Sequence, residues 1–281
     1  MKHLSIVVPY RNREQHLQEF ITHVSAYFTR DKADRTIPYR VYIVEQTEEH
    51  PFNRGAMKNI GFLLGREASD YTCFHDIDYL PIWADYAWAD TPTALVWFGA
   101  EIRPVAPGRS SRIARHNLDY FYGGAVLTPN KLFEKANGYS NDYWGWGYED
   151  SDLQKRFAAI GVKFGRRKGT YKALLHDNES IRIEGGPTPI ALVNKDLYEK
   201  KWAAGGDGGA DGVGNIDFEI LDRRAIPTDP ADRAASWEKV TVRVKRPQPR
   251  SDQIGALNQP TQSQTAPPLV LSLSTTLKFP R

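Results

Sequence analysis

Apolar residues cluster along the chain with two alternating periods. Leu4 to Val8 is a β-rich run closed by Pro9, and after a basic loop at Arg11 and Arg13 the residues Leu17, Phe20, Ile21 and Val24 recur at helical spacing. Tyr39 to Val44 predicts a second strand. Phe52 to Leu64 presents Met57, Ile60, Gly61 and Leu64 on one helix face, and Tyr71 to His75 predicts a third strand. Strand, helix, strand, helix, strand in this order predicts an α/β fold whose central sheet is mostly parallel and flanked by helices. Ligands of such sheets sit beyond the carboxyl ends of the strands, which sets Pro9 to Arg13 and Asp76 to Asp78 around one crevice.

Further on, Leu95 to Phe98 and Gly124 to Leu127 read as strands. Pro129 to Ala136 reads as a Pro-initiated helix, and Asp150 to Ala159 as a helix with Leu153, Phe157 and Ile160 inward. Lys163 to Gly165 and Tyr171 to Leu175 read as short strands, the second ending at His176. Asp177 to Pro189 has no period and predicts a mobile lid. Gly205 to Gly214 reads as a loop, and Trp237 to Val244 as one added edge strand. The expected organisation is a catalytic-type domain over 1–224, an edge extension over 225–244, and a flexible Pro/Gln/Ser-rich tail over 245–281.

With 37 basic and 34 acidic residues the net charge is +3, too balanced to indicate a nucleic-acid partner. The 7 Trp and 14 Tyr suit stacking on sugar faces. Cys73 is the lone cysteine; it cannot form an internal disulfide and sits where a buried thiol is expected. No run approaches the roughly 18 apolar residues of a membrane span, and the N-terminus enters a strand without a leader pattern, so the expectation is a cytoplasmic protein, with peripheral membrane contact as an option.

Two segments carry chemistry. Asp76-Ile77-Asp78 follows an apolar strand with both carboxylates on one side of an extended chain, an arrangement that a cation or donor must compensate. Tyr143-Trp144-Gly145-Trp146-Gly147-Tyr148-Glu149-Asp150-Ser151-Asp152 combines two indoles, two glycines and three carboxylates. It reads as a sugar platform beside an acid/base group. His176 is either structural or a ligand suited to Mn²⁺, and His75, by alternation, belongs to packing. Arg11 and Arg13 suit either a phosphate or uracil edge or a solvated helix start. Asn53 and Arg54 after Phe52 pose the same choice. No GxGxxG follows the first strand and no GxxxxGK[ST] occurs, so dinucleotide and P-loop chemistry lack their signals.

In this setting the chain resembles the β-1,4-galactosyltransferases, inverting GT-A enzymes that use a UDP-sugar and manganese. The resemblance rests on Ile6-Val7-Val8-Pro9-Tyr10-Arg11-Asn12-Arg13, Phe52-Asn53-Arg54, Ile60-Gly61-Phe62, His75 to Pro81, Gly123-Gly124 and Trp144 to Asp150, with an echo at Asp211 to Asn215. The stretch Gly169 to Asp177 is most similar to the branch that galactosylates xylose. The resemblance implies a GT-A nucleotide-diphospho-sugar transferase fold. It places Pro9, Tyr10, Arg11, Arg13, Phe52, Asn53, Arg54, Asp76, Ile77, Asp78 and Trp146 at the donor, and Gly123, Gly124, Trp146, Glu149 and Asp150 at the acceptor. Asp150 would be the catalytic base. Asp78 and His176 would hold Mn²⁺, or Mg²⁺ in its stead, while the family's third ligand falls on Ala173 or Leu174, which do not coordinate. The implied partners are a UDP-sugar, with UDP-galactose first and UDP-GalNAc or UDP-glucose as alternatives, and a glycan or glycolipid acceptor. The contrasting reading is a carbohydrate-binding protein without turnover.

Overall fold

The computed structural model describes residues 1–30, 37–106, 109–115, 121–174, 182–183, 186–187, 189–227 and 236–245, with side chains of 100–120 and 181–189 outside the description. The strand β1 (Leu4–Tyr10) is buried along its whole length. Helix α1 (Glu14–Thr29) follows, burying Leu17, Phe20 and Val24, with Glu14 in its first turn where the helix dipole favours an anion. After β2 (Tyr39–Gln46) comes α2 (Arg54–Gly65), capped by Asn53, whose side-chain oxygen accepts from the Ala56 amide at 2.8 Å. Then β3 (Tyr71–His75) pairs in parallel with β1.

Beyond the third strand the chain runs β4 (Tyr79–Trp83), β5 (Thr93–Ala106), β6 (Arg109–Arg115), β7 (Ala125–Pro129), α3 (Asn130–Lys135), α4 (Glu149–Ala159) and β8 (Gly165–Ala173). The short antiparallel pair β9 (Arg182–Ile183) and β10 (Gly186–Pro187) leads to α5 (Pro189–Lys201). Strands β11 (Phe218–Ala225) and β12 (Ser236–Val244) complete a ten-stranded sheet in the order β11-β12-β2-β1-β3-β7-β5-β8-β4, with β6 paired to β5. Strands β12, β2, β1 and β3 form its parallel block, and antiparallel pairings bring in β7, β4 and β11. Residues Met1–Lys245 constitute one compact unit, so Lys245 belongs to it, and 246–281 of the expected tail lie outside the described residues.

Three expectations change. Lys163 to Gly165 and Tyr171 to Leu175 are not separate strands, because β8 runs unbroken from Gly165 to Ala173 between β5 and β4. The strand at Trp237 to Val244 is internal, since β12 is bonded to β2 on one side and β11 on the other; the edge belongs to β11. Of the expected lid, β9 and β10 show strand pairing, while 175–181, 184–185 and 188 lie outside the described residues.

Alternation along β1 divides the core. Leu4, Ile6, Val8 and Tyr10 face α1, and Val7 faces α2 with Tyr42, Met57, Ile60 and Phe74. Helix α2 lies so close to the sheet that a Cβ on Gly61 would overlap a Val7 methyl and stand 3.0 Å from Val44. Gly61→Val is therefore expected to destabilise the fold by about 1–3 kcal/mol, the usual cost of overpacking a filled core, measured by urea denaturation; a variant as stable as wild type would show that α2 is free to shift.

Candidate active site at the ends of β1 and β3

The ends of β1 and β3, the start of α2, the loop before α4 and the first turn of α5 surround a cavity of about 370 Å³. Pro9, Arg11, Arg13, Phe52, Arg54, Asp76, Ile77, Asp78, Trp146 and Glu149 line it, joined by Pro51, Gly145 and Ile190. A larger hollow of about 650 Å³ between β11 and β12 has one carboxylate among its lining residues, Glu238, already held by Arg223 at 2.5 Å. The chemistry therefore centres on the first cavity. At one end the Arg11 guanidinium lies over the Phe52 ring at 5.1 Å and donates to the His50 carbonyl at 2.7 Å, forming a broad cationic and aromatic wall.

The centre is a cluster of opposite charges. Arg54 donates through Nε to Glu149 at 2.6 Å and through its terminal nitrogens to Asp76 at 2.7 Å and Asp150 at 2.8 Å. Lys58, one turn further along α2, reaches Asp150 Oδ1 at 3.2 Å and stands 4.0 Å from Asp76 Oδ1. Burial works against the Arg54 charge, but Asp76, Glu149 and Asp150 hold its pKa well above the usual value. Burial likewise pushes the Asp150 carboxyl up, and Lys58 and Arg54 outweigh it, leaving the pKa below the ordinary carboxylate range. Asp150 is thus ionised at neutral pH. Buried Asp76 Oδ1 has no hydrogen-bond partner among the described residues, an orphan acceptor at the cavity wall.

Backbone geometry places these groups. The Asp76 amide donates to the Gly124 carbonyl at 2.6 Å, and Gly124 adopts φ +77. A Cβ on Gly123 would stand 2.6 Å from Asp150 Oδ2. The two glycines therefore make room between Asp76 and Asp150, and they are absent from the lining of the cavity. Trp146 rides on a loop whose Gly145, Gly147 and Tyr148 all have positive φ, and its side chain is 50% exposed, an open platform. Asp152, the third acid of this segment, points the other way: it is fully buried, bonded to Arg156, Tyr143 and Trp202.

Asp78 lines the cavity with Arg13 at 3.5 Å. The Leu174 amide donates to the Asp78 carbonyl at 2.7 Å, so the chain leading to His176 starts beside Asp78; His176 itself lies outside the described residues. Ala173 and Leu174 are buried, and among the described residues no group of three or more histidines, cysteines or carboxylates is arranged so as to hold a metal ion. His75 is buried, bonded to the Asp76 carbonyl and Tyr86 hydroxyl at 2.9 Å each, and burial pushes its pKa down to about 4, so it packs as a neutral ring.

Two expected donor contacts are corrected. The Tyr10 ring turns into the core, its hydroxyl donating to Glu14 at 3.1 Å. The Asn53 side chain is consumed as the cap of α2 and as a donor to the Asn141 carbonyl at 2.6 Å, and neither residue lines the cavity. The sequence reading missed Lys58, taken up in a helix period that marks only the apolar face. It also missed Asn194, whose buried amide donates to the Trp144 and Trp146 carbonyls at 3.2 and 3.0 Å, because α5 has too weak an apolar period to be read as a helix.

A mixed sheet with a paired-aspartate turn at its carboxyl edge, a cation-and-aromatic wall and a carboxylate and an indole lining the same cavity is the GT-A architecture of nucleotide-sugar transferases. The catalytic domain of Drosophila β-1,4-galactosyltransferase 7, solved with xylobiose, superposes with a TM-score of 0.66 at 22% identity, covering 88% of this chain and 96% of that one. A mutant of that enzyme, solved with manganese, UDP-Gal and xylobiose, gives 0.65. The model for the N-terminal region of glycosyl transferase group 7 matches residues 1–88, and that for the N-terminal domain of galactosyltransferase matches residues 110–177. Together they span more than half of the 281 residues, and the chain belongs to glycosyltransferase group 7, the β-1,4-galactosyltransferase family. Mouse β-1,4-galactosyltransferase 4 is 32% identical over 184 residues, 64% of this chain and 50% of the relative. Chinese hamster (Cricetulus griseus) β-1,4-galactosyltransferase 2 is 26% identical over 250 residues, 87% of this chain and 60% of the relative. The chain spans about half the length of the mouse relative.

Arg54→Met would leave Asp76, Glu149 and Asp150 to Lys58 alone. We expect a loss of roughly 3 kcal/mol at pH 7, the low end for breaking a buried ion pair because Arg54 keeps some solvent contact. The Asp150 pKa is depressed in the fold, so its contribution is present above the unfolded value near ~3.9 and disappears as pH falls through the folded one. The gap between wild type and variant should accordingly narrow on acidification below about pH 4, as read by urea denaturation at several pH values; a gap independent of pH would place the loss in packing.

Proposed function

We propose that this protein is an inverting, metal-dependent glycosyltransferase that moves galactose from UDP-galactose to a sugar hydroxyl, forming a β-1,4 linkage. The observation that carries the reading is the placing of ionised Asp150 beside the donor-type cavity and near the exposed indole loop, with the orphan Asp76 oxygen in the same wall. A nucleoside diphosphate fits the Arg11–Phe52 wall, where the aromatic ring and guanidinium accept a base and the guanidinium offsets phosphate charge. Asp76 Oδ1 would accept a hydroxyl of the donor, which satisfies it.

The residues present fit a divalent cation. Asp78, in the turn between β3 and β4, lines the cavity, and oxygen donors of this kind together with diphosphate oxygens suit Mn²⁺ or Mg²⁺. Asp78 would hold it, with His176 as the second ligand carried from the family resemblance. When bound, the cation offsets the charge of the departing diphosphate. Trp146 presents an apolar face to sugar C–H groups. The acceptor hydroxyl oxygen attacks the anomeric carbon as the bond to the diphosphate oxygen breaks, that electron pair leaves with UDP, and the hydroxyl proton passes to the Asp150 carboxylate. Attack opposite the leaving group turns an α-linked donor into a β-linked product.

Among the described residues no helix is long and apolar enough to cross a membrane. The acceptor, proposed as a glycan or glycolipid, is a sugar hydroxyl reached over the Trp146 loop. A panel of UDP-galactose, UDP-GalNAc and UDP-glucose with Mn²⁺, scored by thermal stabilisation and then by UDP release with sugar acceptors, tests the donor; stabilisation with no UDP released in the presence of any acceptor would favour a carbohydrate-binding protein.

Asp150→Asn keeps the size of the side chain but cannot take the proton. Turnover should fall by ~10²-fold or more with donor and metal binding retained, and near wild-type transfer would place the base elsewhere, Glu149 being the nearest candidate. Asp78→Ala should abolish the Mn²⁺-dependent part of the donor-induced rise in melting temperature. Full retention of that rise would remove Asp78 from the metal site.

A further inference from the structure

Lys58 is an almost wholly enclosed cation beside the site. Its side chain is 1% exposed, on a helix face packed against the sheet and the turn at Tyr139. An ammonium is withdrawn from water at this cost only where compensating groups await it. The groups around it are Asp150 Oδ1 at 3.2 Å, Asp76 Oδ1 at 4.0 Å and the Tyr139 hydroxyl at 3.4 Å, with the Tyr139 ring centroid 4.5 Å away. The carboxylate of Asp150 is therefore gripped from two sides with unlike partners. Arg54 takes Oδ2 and lines the cavity, whereas Lys58 takes Oδ1 from below and has no access to the cavity.

We propose that Lys58 is a positioning residue for the transfer reaction: it anchors Oδ1 of Asp150, so that Oδ2, whose partner Arg54 lines the cavity, is the oxygen that receives the acceptor proton. The proposal rests on the reading of Asp150 as the base. The asymmetry of the grip carries it. Oδ2 is bonded to Arg54, a long, part-exposed side chain that itself lines the cavity. Oδ1 faces a wholly buried partner on a rigid helix. The charged and titratable groups around Asp150 are Arg54 and Lys58 on α2, Glu149 beside it on α4, Asp76 beyond β3 and Tyr139 in the turn after α3. Of these, Arg54 and Lys58 favour the ionised carboxylate and the two acids oppose it. Burial raises the Tyr139 pKa far above neutral, with Asp150 adding to the rise, so Tyr139 stays a neutral phenol.

The test uses Lys58→Met, Asp150→Asn and the double variant in the full chain. With Lys58→Met the acid limb of kcat/KM should move up by at least about one pH unit, the shift expected on losing an adjacent cation. Turnover at neutral pH should fall by about tenfold or more while KM for the donor stays near wild type. An unmoved acid limb, with the Asp150→Asn variant inactive, would overturn the proposal and leave the base assignment standing. Transfer by Asp150→Asn at near wild-type rate would overturn both. Melting temperatures guard against misfolding: removing the Asp150 charge should recover stability in the Lys58→Met background more than in wild type. Equal effects in both backgrounds, or a double variant as unfolded as Lys58→Met, would assign the lysine to Asp76 or Tyr139 instead and sink the proposal.

Discussion

Charge neutralisation around the first turns of α2 governs the arrangement of the site. Three carboxylates from two distant segments, Asp76 and the Glu149–Asp150 pair, converge where water is scarce, and like charges so placed repel unless cations lie between them. Arg54 and Lys58 occupy that position because the Asn53 cap fixes where α2 begins and because Gly55, Gly61 and Gly65 let the helix press onto β1, β2 and the turn at Ser140. If α2 rotated, the cations would leave the acids. The packing of an apolar helix face and the ionisation of a candidate base are thus one constraint seen at two scales.

Beneath this cluster lies a second, wholly internal one. Asp211 bonds Ser140, the Asn141 amide, Arg156 and Lys201, while Asp152 bonds Arg156, Tyr143 and Trp202. It ties α4 and α5 to the turn after α3, and Asn194 extends the tie to the carbonyls of the indole loop. The loop carrying Trp146 is held by this support: Gly145 and Gly147 take positive φ at no steric cost, but Tyr148, at φ 73, persists there only because its surroundings fix it. One face of the Glu149–Asp152 turn serves the cavity and the other serves the scaffold.

How much of this was legible in the sequence follows from what each residue contributes to a local pattern. Strands β1, β2 and β3 and helices α1, α2 and α4 bury a periodic face and were read close to their bounds. Strand β11 was not, because nearly all its side chains are exposed and its charges protect an edge from pairing with other chains. Strand β4 was missed because Pro81 speaks against a strand, yet β4 ends the sheet, where a proline is tolerated. At the site, residues that announce themselves by type, such as Asp76, Asp78 and Trp146, lie together on the cavity wall. Lys58 was not legible, since nothing local distinguishes a lysine pointed at a buried acid from one pointed at water. Tyr10 and Asn53 err in the opposite sense: they sit inside a motif but spend their side chains on the core and the helix cap.

The insertion of β12 bears on how the molecule is made. Ser236 pairs with Arg40 and Trp237 with Val41, so the strand that covers the outer side of β2 arrives almost two hundred positions after it in synthesis order. Until then the nascent sheet has β2 as a bare, strongly apolar margin, the kind of margin that recruits stray strands. Pairings of such sequence separation also form slowly, because a long loop must close before any contact rewards it. The emerging chain therefore passes through a stage in which β1, β2 and β3 can assemble while the outer side of β2 stays open to stray pairing.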